Sequence, residues 1–134
     1  MSPLAYLYVG IGGALGSMAR YGLGIAALRW WRDGFPWGTL GINVLGSFVI
    51  TFFGVLAAEE GLLRVDPNHR LLVTVGVCGG FTTFSTFSLQ TLALLQQGDA
   101  ARAGLNAALS VSLCVAASWL GFVSAQALTI WSRR

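Results

Sequence analysis

The chain has no lysine at all. Of its 134 residues only 10% are charged, with five acidic side chains against eight basic ones, all arginine. A soluble domain carries about 25% charged residues. The shortfall excludes an ordinary water-soluble fold and matches the 55% apolar content of an integral membrane protein. Eight scattered arginines form no clustered basic stripe, so a nucleic-acid surface is excluded as well. Histidine occurs once and cysteine twice. Neither Cys78 nor Cys114 has a neighbouring Cys or His at metal-ligand spacing. Both lie in apolar runs and read as small apolar residues, with a disulfide between them as the alternative. Zincin motifs, Ser–His pairings and paired carboxylates are missing, so the chain is not expected to be an enzyme. After Arg20, no Asp, Glu, Lys, Arg or His falls within any apolar stretch. Proton-coupled transporters relay protons through such groups, and their absence argues against that class.

What remains is organised by length. A spanning helix needs about 20 mostly apolar residues, and four stretches qualify: about 4–28, 37–58, 71–97 and 103–131. The connections are short, and no linker or repeat interrupts them. Residues 1–134 therefore read as a single all-α membrane domain of four transmembrane helices. Met1 to Val9 lacks a basic region ahead of its apolar run and a cleavage site, so it reads as a retained first span and not as a signal peptide. Four spans place both termini on the side of the second loop. That side holds Arg64, Arg70, Arg133 and Arg134; the other holds Arg20, Arg29, Arg32 and Arg102. Four against four gives the positive-inside rule nothing to act on. Either another feature sets the orientation, or the chain inserts both ways up and pairs antiparallel. Four helices leave little room for a pathway between them, so a channel or transporter of this length would assemble from more than one chain.

Polar atoms mark three of the spans. Gly10, Gly12, Gly13 and Gly16 in the first fit close helix approach by small-xxx-small packing. Arg20 either snorkels to the headgroups or turns inward to a partner. In the second, Thr39, Asn43, Ser47 and Thr51 recur every four residues, which keeps neighbours on one helix face. Asn106, Ser110, Cys114 and Ser118 repeat the pattern in the fourth. Such stripes serve as interhelical glue. Asn43 stands apart, because its amide brings two donors and an acceptor that all need partners at depth.

The third span holds the run Gly79-Gly80-Phe81-Thr82-Thr83-Phe84-Ser85-Thr86-Phe87-Ser88. Paired glycines and a crowd of hydroxyls are wrong for an ordinary span, because they expose backbone polar groups that lipid cannot satisfy. A broken helix is expected in this run, and the glycine pair would free carbonyls at the break that can coordinate a cation. Phenyl edges are electropositive, so Phe81, Phe84 and Phe87 interleaved with hydroxyls would line a dry path suited to a small anion. With no full charge in that lining, the ion could leave again.

At this point the chain resembles the Fluc/CrcB fluoride channel family. The likeness rests on Gly12-Gly13-Ala14-Leu15-Gly16-Ser17-Met18-Ala19-Arg20-Tyr21, on Gly38-Thr39-Leu40 through Asn43 and Gly46, and above all on the Gly79–Ser88 run. The resemblance implies a dual-topology, antiparallel homodimer in the cell (inner) membrane, in contact with lipid, that passively exports fluoride. It implies a pore lined by Asn43, Phe84, Phe87, Thr39, Ser88, Ser110 and Ser118. It further implies a break over Gly79–Thr82, with the helix resuming over Phe84–Ser88, and a structural sodium ion held by the backbone carbonyls of Gly79 and Thr82 from both chains, with Gly12, Gly13, Gly16 and Arg20 in structural roles. Where many relatives carry a glutamate after the run, this chain has Gln90. A small dual-topology exporter of organic cations is the alternative; it would need an embedded carboxylate. A non-transporting scaffold is a third possibility and predicts no ion flux.

Overall fold

Helix α1, Pro3–Trp30, starts where the computed structural model begins its description of the chain, which covers residues 3–134. Met1 and Ser2, the first residues of the expected retained span, lie outside the described residues. Helix α2 is Trp37–Leu56. The next segment, α3 (67–81), is a composite of an α-helical Pro67–Leu71, a π-helical Leu72–Cys78 and a final α turn Gly79–Phe81. Helix α4 is Phe84–Gln96 and α5 is Ala100–Ser132. Every regular element among the described residues is helical.

Local chemistry accounts for several of the boundaries. Asp66 caps α3 by accepting the Asn68 N–H at 2.8 Å, with Pro67 in the first turn where its missing N–H costs nothing. Asp99 caps α5 by accepting the Arg102 N–H at 3.1 Å. Gly98, just past the end of α4, has φ +79°, the left-handed conformation that commonly stops a helix.

Three helical stretches among the described residues are long and apolar enough to cross a membrane: Trp37–Leu56, Pro67–Gln96 and Ala100–Ser132. The sequence reading expects four. At 28 residues α1 has the length, but its glycines and Arg20 dilute its apolar content below that of the other three. It still turns Leu4, Leu7, Ile11, Leu15 and Met18 outward.

Two helix pairings build the protein: α2 against α5, and α1 against α3. Both depend on missing side chains. A Cβ on Gly121 of α5 would lie 2.6 Å from the Phe48 carbonyl of α2. On α1, a Cβ at Gly12 would stand 2.9 Å from the Gly76 Cα, and one at Gly16 2.9 Å from the Phe81 nitrogen. Gly80 closes against the Gly13 backbone in the same way. Gly12 and Gly16, with Gly80 across from them, thus seat α1 directly on the backbone of α3, the close approach that small-xxx-small spacing permits, whereas a Cβ on Gly13 would meet open space.

Candidate functional site

The break expected over Gly79–Thr82 starts only at Thr82, past the glycine pair. Gly79 is helical, with φ −65° and ψ −37°. The chain leaves the helix three residues later, at Thr82 (φ −83°, ψ 155°) and Thr83 (φ −153°, ψ 110°). Adjacent β-branched residues suit an extended backbone better than a helix. The glycines are committed to α1, and their close approach is best served by an intact helical turn.

Both threonines manage the transition with their hydroxyls. Thr82 Oγ1 donates to the Cys78 carbonyl at 2.9 Å, closing the last turn of α3. Thr83 Oγ1 accepts the Thr86 N–H at 3.1 Å and donates to Thr86 Oγ1 at 3.0 Å, so it caps α4. Phe81 to Thr83 therefore ends one helix and starts the next.

Asn43 on α2 holds this joint. Its Nδ2 donates to the Thr83 carbonyl at 3.1 Å, and its Oδ1 accepts the Thr83 N–H at 2.8 Å. The amide thereby stands in for the two backbone partners that Thr83 gives up on leaving the helix. Gly46, one turn along α2, makes room: any Cβ there would collide with the Thr82 methyl and sit 3.3 Å from the Phe81 ring. Among the described residues the Thr83 carbonyl is the one acceptor that Asn43 Nδ2 meets, and an amide nitrogen carries two hydrogens.

Arg20 does not snorkel. Half-buried, it turns inward and donates from Nε to the Gly80 carbonyl at 3.0 Å, joined there by Ser17 Oγ at 3.4 Å. A cation at the carbonyl end of a helix satisfies orphan acceptors and the local dipole together.

Two cavities flank the joint, and Thr83 lines both. The larger, about 410 Å³, is walled by Asn43, Thr82, Phe84, Phe87, Ser110 and Cys114, among others. Charged groups take no part in its lining. The Phe84 and Phe87 rings lie 5.2 Å apart and inclined by 46°. Phe84 is 78% exposed in the single chain. Ser110 is buried, and among the described residues its Oγ has no hydrogen-bond partner. The other cavity, about 260 Å³, contains Arg20, Thr39, Thr86 and Gln90. Gln90 Oε1 is likewise buried without a partner.

The nominated residues thus divide. Asn43, Thr82, Phe84, Phe87 and Ser110 meet at the larger cavity, while Thr39 lies in the smaller one. Ser88 is exposed and donates to the Phe84 carbonyl at 2.9 Å. Ser118 donates to the Ser47 carbonyl at 3.3 Å, bonding α5 to α2. Neither of these two serines lines either cavity. Gly79 is exposed, with open space where a Cβ would be. Among the described residues no group of three His, Cys, Asp or Glu side chains could hold a metal.

Two residues of the site were not singled out from the sequence. Thr83 sat unmarked within the hydroxyl run, although its place beside Thr82 in an otherwise helical stretch is the available signal. Cys114 was read as a small apolar residue; its spacing of four from Ser110 is what puts it on the cavity wall.

Comparison with known proteins places the chain in a family. Residues 7–122 match the family model described as CrcB-like protein, Camphor Resistance (CrcB). The chain is 52% identical over 123 residues to a protein of Opitutus terrae, covering 92% of this chain and 93% of that one. It is 53% identical over 123 residues to one of Methylocella silvestris, covering 92% and 94%. A relative from Paramagnetospirillum magneticum is 49% identical over 122 residues, covering 91% and 95%. All three bear the name Fluoride-specific ion channel FluC. With a family model matched over most of its length and relatives of about half identity, this chain belongs to the CrcB-like family.

Proposed function

We propose that the chain is a fluoride-selective channel, not an enzyme, that passively exports fluoride across the cell (inner) membrane. It works as an antiparallel, dual-topology homodimer, with α1 as a fourth span beside the three strongly apolar stretches. Relatives named as fluoride-specific channels support the ion's identity. The balanced arginines support the dual topology. Pairing is supported by Phe84, a large apolar ring 78% exposed beside the joint.

One observation carries the pore assignment. In a single uncharged cavity stand the Phe84 and Phe87 rings and the buried Ser110 hydroxyl, which has no acceptor of its own. A buried donor without a partner is rare and wants an acceptor. Fluoride is a compact acceptor, and ring edges offer it positive quadrupole density. Asn43 adds its second Nδ2 hydrogen. Together these groups replace water without a fixed countercharge that would trap the ion. Thr39 serves the approach through the smaller cavity. Ser88 and Ser118, whose protons are already donated within the protein, shape the path and do not bind the ion directly.

We further propose a structural sodium ion at the dimer centre. The donor set fits it: Thr83 N–H is taken by Asn43, so the Gly79 carbonyl loses its usual partner four residues on, and the Thr82 carbonyl lies outside the helix. Carbonyl oxygens are hard donors of the kind such cations take. When bound, the ion would offset the partial negative charge of these carbonyls from both chains.

Fluoride efflux from liposomes carrying the purified protein tests the assignment. Phe84→Ile is expected to remain a dimer and to pass almost no fluoride. An unchanged rate would remove Phe84 from the path.

A further inference from the structure

We infer that the groove beside the α2–α3 connection binds a zwitterionic phospholipid headgroup, with phosphatidylethanolamine as the ligand. Helices α2 and α3 belong to two stretches able to cross a membrane, and the connection from Leu56 to Pro67 joins them at one end. That end lies at headgroup depth, where spanning helices meet water. A groove of about 1050 Å³ opens there, lined by Glu59, Arg64, Asp66 and Arg70 together with the apolar Leu63 and Leu71. The wall is held by backbone bonds. The Leu63 N–H returns to the Leu56 carbonyl and the Gly61 N–H donates to the Ala58 carbonyl, both at 2.8 Å. Gly61 lies so close to Leu56 that a Cβ would collide with its carbonyl oxygen. From the end of α5, Arg133 Nη2 donates to the Glu60 carbonyl at 2.7 Å.

The charges of this anchored groove do not neutralise one another. Among the described residues the ion pairs are Asp66 with His69 at 3.8 Å and Asp99 with Arg102 at 3.6 Å. Asp66 is further occupied as the cap of α3. The side chains of Glu59, Arg64 and Arg70 thus share one groove, and among the described residues none of them enters an ion pair. Guanidinium groups fork onto phosphate oxygens, and a carboxylate accepts from an ammonium N–H. Phosphoethanolamine carries both complements in one molecule. A bare phosphate would meet Glu59 and Asp66 as repulsion. The quaternary ammonium of phosphatidylcholine has no N–H for Glu59, and phosphatidylglycerol has no ammonium at all. Leu63, 40% exposed on the groove wall, favours the lipid over free phosphoethanolamine, because it gives an acyl chain apolar surface to cover.

The site depends on residence in a membrane and not on the ion conducted, so melting of full-length protein in detergent tests it without any flux. Short-chain phosphatidylethanolamine, phosphatidylcholine and phosphatidylglycerol are titrated separately, as is free phosphoethanolamine. A ligand of the folded state raises the melting temperature with its concentration. Phosphatidylethanolamine should bind about ten-fold more tightly than either other lipid, the worth of one hydrogen bond to a charged group. Free phosphoethanolamine should shift melting little at the same concentration. Arg64→Gln combined with Arg70→Gln should weaken phosphatidylethanolamine binding by about ten-fold or more. Arg29→Gln combined with Arg32→Gln removes equal charge beyond the other end of α2 and should leave binding unchanged. Glu59→Ala should bind phosphatidylethanolamine and phosphatidylcholine alike. Equal shifts from all three lipids, an equal shift from free phosphoethanolamine, or a response that survives loss of both groove arginines overturns the inference.

Discussion

The side-chain amide of Asn43 takes the place of helical backbone for Thr83. It accepts the Thr83 N–H at 2.8 Å and donates to the Thr83 carbonyl at 3.1 Å, forty residues away in sequence. This one side chain pairs both backbone groups of Thr83, the second of the two extended residues between α3 and α4. It also fixes Thr83 between the two cavities.

Asn43→Ala leaves both Thr83 groups without partners. Each buried polar group so stranded costs about 1–3 kcal/mol, so thermal unfolding in detergent should show a loss of that order. Asn43→Asp keeps the acceptor for the Thr83 N–H but opposes a carboxylate to the Thr83 carbonyl. It should recover little of the lost stability, and it should abolish fluoride efflux by placing negative charge on the cavity wall. A variant as stable as the parent would show that the amide does not hold the joint.

Gly16→Ala should be destabilising, because its Cβ would strike the Val77 carbonyl and lie 2.9 Å from the Phe81 nitrogen. Backbone cannot give way as a side chain can, and overpacking of this kind costs about 1–3 kcal/mol. Gly10→Ala is the control, since nothing lies within 4 Å of the added methyl. It should be neutral or stabilising by about 0.5–1 kcal/mol, as expected for glycine in a helix interior. Paired melting curves check both, and equal melting temperatures would contradict the backbone contact.

Arg20→Met keeps the stem and removes the donor to the Gly80 carbonyl. A hydrogen bond to a charged group contributes about 1.5–3 kcal/mol, and the variant should lose stability within that range. Arg20→Lys should restore only part of it, since Lys presents a compact point charge where Arg offers a rigid planar fork.

These contacts separate what was legible in the sequence from what was not. Apolar stretches without lysine announced a helical membrane protein, and the glycines of α1 announced close packing, because both signals are local. The start of the break was set too early because paired glycines look flexible in one dimension. In three, Gly80 is pinned against Gly13, and the freedom falls to Thr82 and Thr83. Arg20 could not be assigned from spacing alone, since its partner is a backbone carbonyl sixty residues away. Ser118 shared a stripe with Ser110, yet Ser47 claims it and leaves Ser110 free. Periodicity puts residues on a face but does not say who bonds to whom.

The loop between α1 and α2 should respond to acid. The Trp37 indole N–H donates to Asp33 Oδ2 at 2.9 Å and the Phe35 N–H to Oδ1 at 3.1 Å. These bonds, the indole foremost, hold the Asp33 carboxyl below its ordinary range. A folded pKa lowered from the unfolded one adds stability above the unfolded value and loses it as pH falls through the folded value. Asp33 is exposed, so the effect is small. Trp37 fluorescence should change on acidification below the ordinary aspartate range. Asp33→Asn should flatten that response, and an identical titration in the variant would remove Asp33 as its source.

Fluoride selectivity tests the central claim most directly. Purified protein is reconstituted into liposomes loaded with either potassium fluoride or potassium chloride, and efflux is started with a potassium ionophore. The uncharged cavity built from Phe84, Phe87, Asn43 and Ser110 predicts rapid fluoride release and almost no chloride release. Equal release of the two anions, or none of either, would contradict it.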